Sequence, residues 1–147
     1  MPERFATALT CIDGRIQRPL EEWVKSVLGV DYLDTVTEPG PDRVVSTADE
    51  AVLQALLDKV RVSGVAHGST DLIIAGHSDC AGNPVSDDEH RAMLREAVGR
   101  SAARLPGVRV IAVHAVQCGD RCWQFREVDR AVPVHRAIPA AAPSSRT

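Results

Sequence analysis

Cysteine and histidine stand in this sequence at spacings that could do metal chemistry. Cys11 closes the apolar run "RFATALTC" and leads into "CIDGR", where an acid and a base, Asp13 and Arg15, follow it. "GHSDC", residues 76–80, places His77 and Cys80 directly after the apolar run "DLIIAG". Two intervening residues let both side chains reach one ion, and Cys11 adds a third donor if the two apolar runs end side by side. Two thiolates and one imidazole with an open fourth position match catalytic zinc, whereas structural zinc is closed by a fourth protein ligand. Such an ion, Zn2+, lowers the pKa of a bound water to about 7 and so supplies hydroxide near neutral pH for attack on an electrophilic carbon. Asp13 could orient that hydroxide. Arg15 could hold Asp13 ionised and turned from the metal through a two-pronged hydrogen bond, failing which Asp13 closes the site itself.

The elements that must position these residues alternate. "RFATALTC" reads as a strand, and Leu20, Trp23, Val24, Val27 and Leu28 then recur on one helical face. "VDYLDTV" is a second strand and "EPGPD" a turn. Thr47 and Glu50 are spaced as a capping box for a helix with Ala51, Val52, Ala55, Leu56 and Val60 on one face. "DLIIAG" has the continuous apolar character of a buried parallel strand. Ser86 and Glu89 repeat the capping signature before a helix to about Arg104, "VRVIAVHAV" is the next strand, and "CWQFREV" adds an antiparallel edge strand. The pattern predicts an α/β fold with a mainly parallel sheet flanked by helices. Ligands of such sheets bind beyond the carboxyl ends of the strands, where both motifs lie.

Composition bounds the rest. The 147 residues, 44% of them hydrophobic, suit one compact domain, taken as residues 1–136, with a Pro/Ala/Ser-rich tail over 137–147. A formal charge of −3 carries no basic footprint for nucleic acid or an anionic membrane, and no apolar window approaches a spanning helix. The expectation is a cytoplasmic protein acting on a small molecule. In a reducing compartment its four cysteines read as ligands or buried thiols rather than a disulfide framework. Cys118 and Cys122, in "CGDRC", could bind a second metal, but an x3 pair with no nearby third or fourth ligand reads as plain loop thiols, and no function is assigned to them. His67 and His114 are assigned to a loop and a strand, and His90 reads either as a residue passing protons at a pocket mouth or as a solvated helix histidine.

"CIDGR" resembles the Cys-x-Asp-x-Arg element of β-class carbonic anhydrases, and "GHSDC" resembles their second zinc element, His-x-x-Cys with a preceding glycine. Order, separation and the intervening βαβ pattern agree over roughly residues 4–128. The resemblance implies zinc on Cys11, His77 and Cys80, an Asp13–Arg15 dyad beside it, reversible hydration of carbon dioxide to bicarbonate, and a homodimer or higher homo-oligomer. Two stretches depart from the family: "TEPGPDR" stands where typical members have Arg-Asn-Ala-Gly, which suggests Glu38 or Asp42 facing the metal, and "CAGNP" replaces Cys-Gly. Five aromatic residues, two Trp, two Phe and one Tyr, predict that the apolar pocket wall of the family is missing. Alternatives in the same frame are a zinc hydrolase of carbon disulfide or carbonyl sulfide, and a non-catalytic zinc-binding domain.

Overall fold

Strands buried on both faces read as unbroken apolar runs, whereas an edge strand alternates. That distinction orders the sheet in the computed structural model, which describes residues 2–134; the tail assigned to 137–147 lies outside the described residues. In chain order the elements are β1 (Phe5–Thr10), α1 (Gln17–Leu28), β2 (Tyr32–Thr37), α2 (Pro41–Thr47), α3 (Glu50–His67), β3 (Asp71–His77), α4 (Asp87–Ala102), β4 (Arg109–Gly119) and β5 (Cys122–Ala131). The five strands lie in the order β2-β1-β3-β4-β5. β1 pairs in parallel with β2 and β3, β3 in parallel with β4, and β5 closes the sheet antiparallel to β4. β1 and β3 are buried almost throughout, while β2 and β5 alternate as edges do. The expected mainly parallel sheet with an antiparallel edge strand is what forms.

The connection from β1 runs to one side of the sheet and those from β2 and β3 run to the other, so the helices divide between two faces. α1 covers one face alone, with Leu20 and Val24 against Ala6, Ala8, Ile73, Ala75, Ile111 and Val113. On the opposite face Leu53, Leu56, Leu57 and Val60 of α3 and Leu94, Ala97 and Val98 of α4 bury Leu9, Leu72, Ile74, Val110 and Ala112. Connections therefore part to opposite faces between β1 and β3, which opens a crevice at their carboxyl ends. Cys11 and His77 sit there.

Two local expectations are corrected. "EPGPD" is not a simple turn: Pro41, at the first position of a helix where its missing N–H costs nothing, opens α2. Thr47 closes α2 and does not cap α3; the Asp49 side chain accepts from the Val52 N–H as the N-cap, while Glu50 pairs with Arg104 and Arg100 across the surface. That start turns the buried face of α3 to Leu53, Leu56, Leu57 and Val60, leaving Ala51, Val52 and Ala55 exposed. The Ser86–Glu89 capping box of α4 forms as expected. Among the described residues no helix is long and apolar enough to cross a membrane.

Candidate metal centre

Cys11 leaves β1 and His77 ends the neighbouring β3, so two short loops carry the donors into the crevice. One ligand atom each from Cys11, His77 and Cys80 lies within 4.8 Å of the other two, and this group could hold a metal ion. All three residues are at most 3% exposed. The Sγ atoms of Cys11 and Cys80 are 3.8 Å apart, which is also about 3.8 Å for two sulfurs each bound at about 2.3 Å to one tetrahedral ion. His77 Nδ1 lies 2.7 Å from the Ser78 carbonyl, so it donates there and leaves Nε2 as the bare acceptor. That Nε2 is buried with no hydrogen-bond partner among the described residues. Burial, and Cys11 beside it, push the Cys80 thiol up to about 11; a bound cation would favour the thiolate there. The donor chemistry, the sulfur separation and the orphaned nitrogen all fit zinc.

The loop that holds Cys11 is fixed from below and from outside. The Gln17 side-chain amide donates to the carbonyls of Cys11, at 2.7 Å, and Asp13, at 2.9 Å. Arg15 grips Asp13 with Nε and Nη2, the latter at 2.7 Å from Oδ2, and its backbone N–H donates to Oδ1 at 2.9 Å. These bonds hold the Asp13 carboxyl down at about 2 against a mild opposing effect of burial. The same guanidinium reaches across the crevice, with Nη2 on the Asp79 carbonyl at 3.2 Å and Nη1 on its carboxylate at 3.3 Å. Arg15 thus ties the two ligand-bearing loops together. Asp13 Oδ2 stands 4.0 Å from His77 Nε2, beside the cluster but outside it.

A wall that sequence reasoning missed comes from β5. Trp123 packs against the cluster of Cys11, Ile16 and Cys80, meets the His77 ring edge-on with centroids 5.9 Å apart, and lies under the Arg15 guanidinium at 5.5 Å. Trp123 thus gives the cluster an apolar side within the single chain. Only its alternation with Phe125 on the α1 face could have pointed to it.

The two stretches that depart from the family form one unit. Asp42 does not face the cluster: its carboxylate sits on the other face of β3, 2.5 Å from His90 Nδ1 and 3.0 Å from the Asn83 amide. Glu38 lines a groove with Val52, Ala55 and Leu56 of α3 instead. Gly40, in the left-handed region at φ 59°, meets Gly82 so closely that a Cβ on it would fall 2.7 Å from the Gly82 backbone. Arg43 donates to the Gly82 carbonyl at 3.3 Å. Asp42 also fills the space a side chain at Gly76 would need, 2.9 Å from its would-be Cβ. "TEPGPDR" and "CAGNP" thus interlock and set the path of the loop after Cys80.

His90 is correspondingly not at a pocket mouth but fully buried, stacked on His114 with centroids 5.1 Å apart. His114 lies in β4, as expected, with Nε2 2.9 Å from Asp87; His67 ends α3 rather than lying in a loop and meets Asp34 at 2.6 Å. Cys118 and Cys122 are joined in a disulfide, contrary to the expectation of plain loop thiols, while Cys11 and Cys80 are free.

A family model described as "Putative carbonic anhydrase" matches residues 1–129. The chain belongs to this family. No curated protein matches the sequence. Among solved structures, the β-carbonic anhydrase CafA of the fungal pathogen Aspergillus fumigatus is similar at 15% identity, over 86% of this chain and 77% of that one, with a TM-score of 0.45. A tetrameric β-carbonic anhydrase of the filamentous ascomycete Sordaria macrospora is similar at 15% identity, over 88% and 84% of the two chains, again with a TM-score of 0.45. Family membership agrees with the resemblance of the two motifs.

Proposed function

We propose that this family member is an active carbonic anhydrase that binds one zinc ion through Cys11, His77 and Cys80 and reversibly hydrates carbon dioxide to bicarbonate. The observation that carries the reading is the convergence of two buried thiols on the unpartnered Nε2 of His77. Zinc at such a set would acidify a coordinated water and supply the nucleophile. The residues of the chain do the rest. Asp13, kept ionised by Arg15, offers an acceptor that orients the nucleophile beside His77. Arg15 keeps that carboxylate from turning onto the metal by holding both of its oxygens. Trp123 and Ile16 exclude bulk water, and the depth of the cluster favours a small linear substrate.

Assembly into a homodimer or higher homo-oligomer belongs to the same proposal, supported by two open sheet edges, β2 and β5; so does a cytoplasmic location. Elemental analysis of the purified chain joined to stopped-flow hydration of carbon dioxide tests the function. About one zinc per chain and hydration that rises with pH through an apparent pKa near or above about 7 are expected, since two thiolates leave the ion less acidifying than three imidazoles would. Full zinc with no hydration between pH 6 and 9 would move the function to another small electrophile or to binding alone.

A further inference from the structure

The disulfide and the wall residue are neighbours. Cys122 precedes Trp123, and Cys118 faces neither strand: Gln117 pairs with Trp123 and Gly119 with Cys122, so Cys118 is an extra residue bulged out of β4. The turn that follows places Arg121, a non-glycine residue, in the left-handed region at φ 53°. A slip of one residue at the tip would turn every side chain there to the opposite face. Trp123 reaches His77, Arg15 and the two ligand thiols only in the register observed. The Cys118–Cys122 bond crosslinks the tip at the residue before Trp123 and so adds a covalent constraint to the ladder pairs that set that register.

The two pairs of cysteines also differ in access. Cys11 and Cys80 are buried, whereas Cys118 and Cys122 are exposed to solvent at the tip of the hairpin. Thiol–disulfide exchange needs a thiolate to reach a disulfide sulfur, so a reductant in solution can reach the hairpin bond, while burial keeps the Cys11 and Cys80 thiols out of the exchange. We propose that Cys118–Cys122 is a redox modification site whose reactant is a small thiol or dithiol, and that opening it releases Trp123 from the ligand cluster.

The exchange balances simply. A reductant thiolate attacks one cysteine sulfur, the S–S bond breaks, and the other cysteine leaves as a thiolate that takes a proton. The second thiol of the reductant then displaces the first cysteine, which is protonated in turn, and the reductant departs as its own disulfide with two electrons transferred. Oxidation reverses both steps. The consequence for turnover rests on the proposed zinc centre: a released Trp123 unstacks from Arg15 and opens the cluster to water. The release itself does not need the metal.

The test uses the full chain carrying Trp23→Phe, which leaves Trp123 as its only tryptophan. Mass analysis counts free thiols before and after treatment with dithiothreitol, and acrylamide quenching of fluorescence reads the exposure of Trp123 in the metal-free protein. The oxidised form is expected to carry a 118–122 crosslink and a shielded indole. Reduction should raise the quenching constant on the order of two-fold as a partly buried indole meets water. Adding Cys118→Ser should give the reduced value in either buffer, with circular dichroism confirming the fold. No crosslink under oxidant, or a confirmed crosslink with quenching unchanged on reduction, overturns the proposal. Zinc content measured on the same samples separates the two readings: a chain that never holds zinc removes the metal centre while the quenching result still decides the redox site.

Discussion

Two groups of buried imidazoles flank the end of β3. His77 points to the α1 face, with Nδ1 on a backbone carbonyl and a bare Nε2 beside two thiols. On the opposite face His90 and His114 stack on each other, each tied to a carboxylate, Asp42 or Asp87, and each keeps one buried nitrogen without a partner among the described residues. An unpartnered nitrogen is thus common to both regions, and cannot by itself mark the site. The difference lies in the neighbours. Around His77 stand two thiols that could share a metal ion with it; around His90 and His114 stand acids that bond the imidazoles and tie Asn83 and Ser78 to the core. One region could hold a metal ion, and the other anchors the loop that carries Cys80.

The largest effect should come from the ligands themselves. Cys11→Ser or Cys80→Ser should lose nearly all bound zinc by elemental analysis, while Cys118→Ser and His114→Gln keep it. Equal loss in His114→Gln would erase the distinction between the two faces. Next in size is the anchor. Asp42→Ala strips the carboxylate from a fully buried pair with His90 and removes the Asn83 amide's shortest acceptor, and should cost about 3–5 kcal/mol of stability in urea unfolding of the metal-free chain.

The clamp comes third. Arg15→Ala should retain zinc but lower hydration about 10–100-fold, with X-ray absorption detecting an added oxygen ligand from Asp13. The further change Asp13→Ala should remove that ligand. Bound zinc with Asp13 still turned away in Arg15→Ala would take the clamp out of the proposed mechanism.

The smallest effect sharpens the comparison through pH. Burial lowers the His114 pKa despite its bond to Asp87, and the charge of His90 adds to the lowering. The unfolded chain therefore takes up a proton before the folded one as pH falls, so this contribution to stability is intact above about pH 6.5 and declines below it. Asp87, lowered by the Ser78 hydroxyl and His114, adds a second loss at more acid pH, below its ordinary carboxylate range. Unfolding free energies at pH 7 and pH 5 should differ less in His114→Gln than in the wild type. An unchanged difference would mean that the histidine is not what couples this face to pH.

Much of the metal centre is legible because its signals are local. Cys11, Asp13 and Arg15 occupy one turn, His77 and Cys80 another, and apolar runs before each motif place both at strand ends. The Asp13–Arg15 ion pair follows from a spacing of two residues in a loop. Helix boundaries were less legible where two capping residues compete: Thr47 and Asp49 both suit an N-cap, and Pro41 made a helix of the intervening stretch. The error carried through to the buried face of α3, since a shift in the apolar seam moves every residue assigned to it.

The sequence by itself determined the order of the five strands and of α1, α3 and α4, the three metal-donor candidates and the acid–base pair beside them, because each rests on neighbours within a few residues. Only the tertiary structure decided that Trp123 walls the cluster and that Cys118 bonds Cys122. It also sent Asp42 to His90, 48 residues away, rather than to the donor cluster. The physical reason is the period of two along a strand. The face on which a side chain emerges depends on register, bulges and which helix packs there, and none of these is carried by the identity of the residue alone.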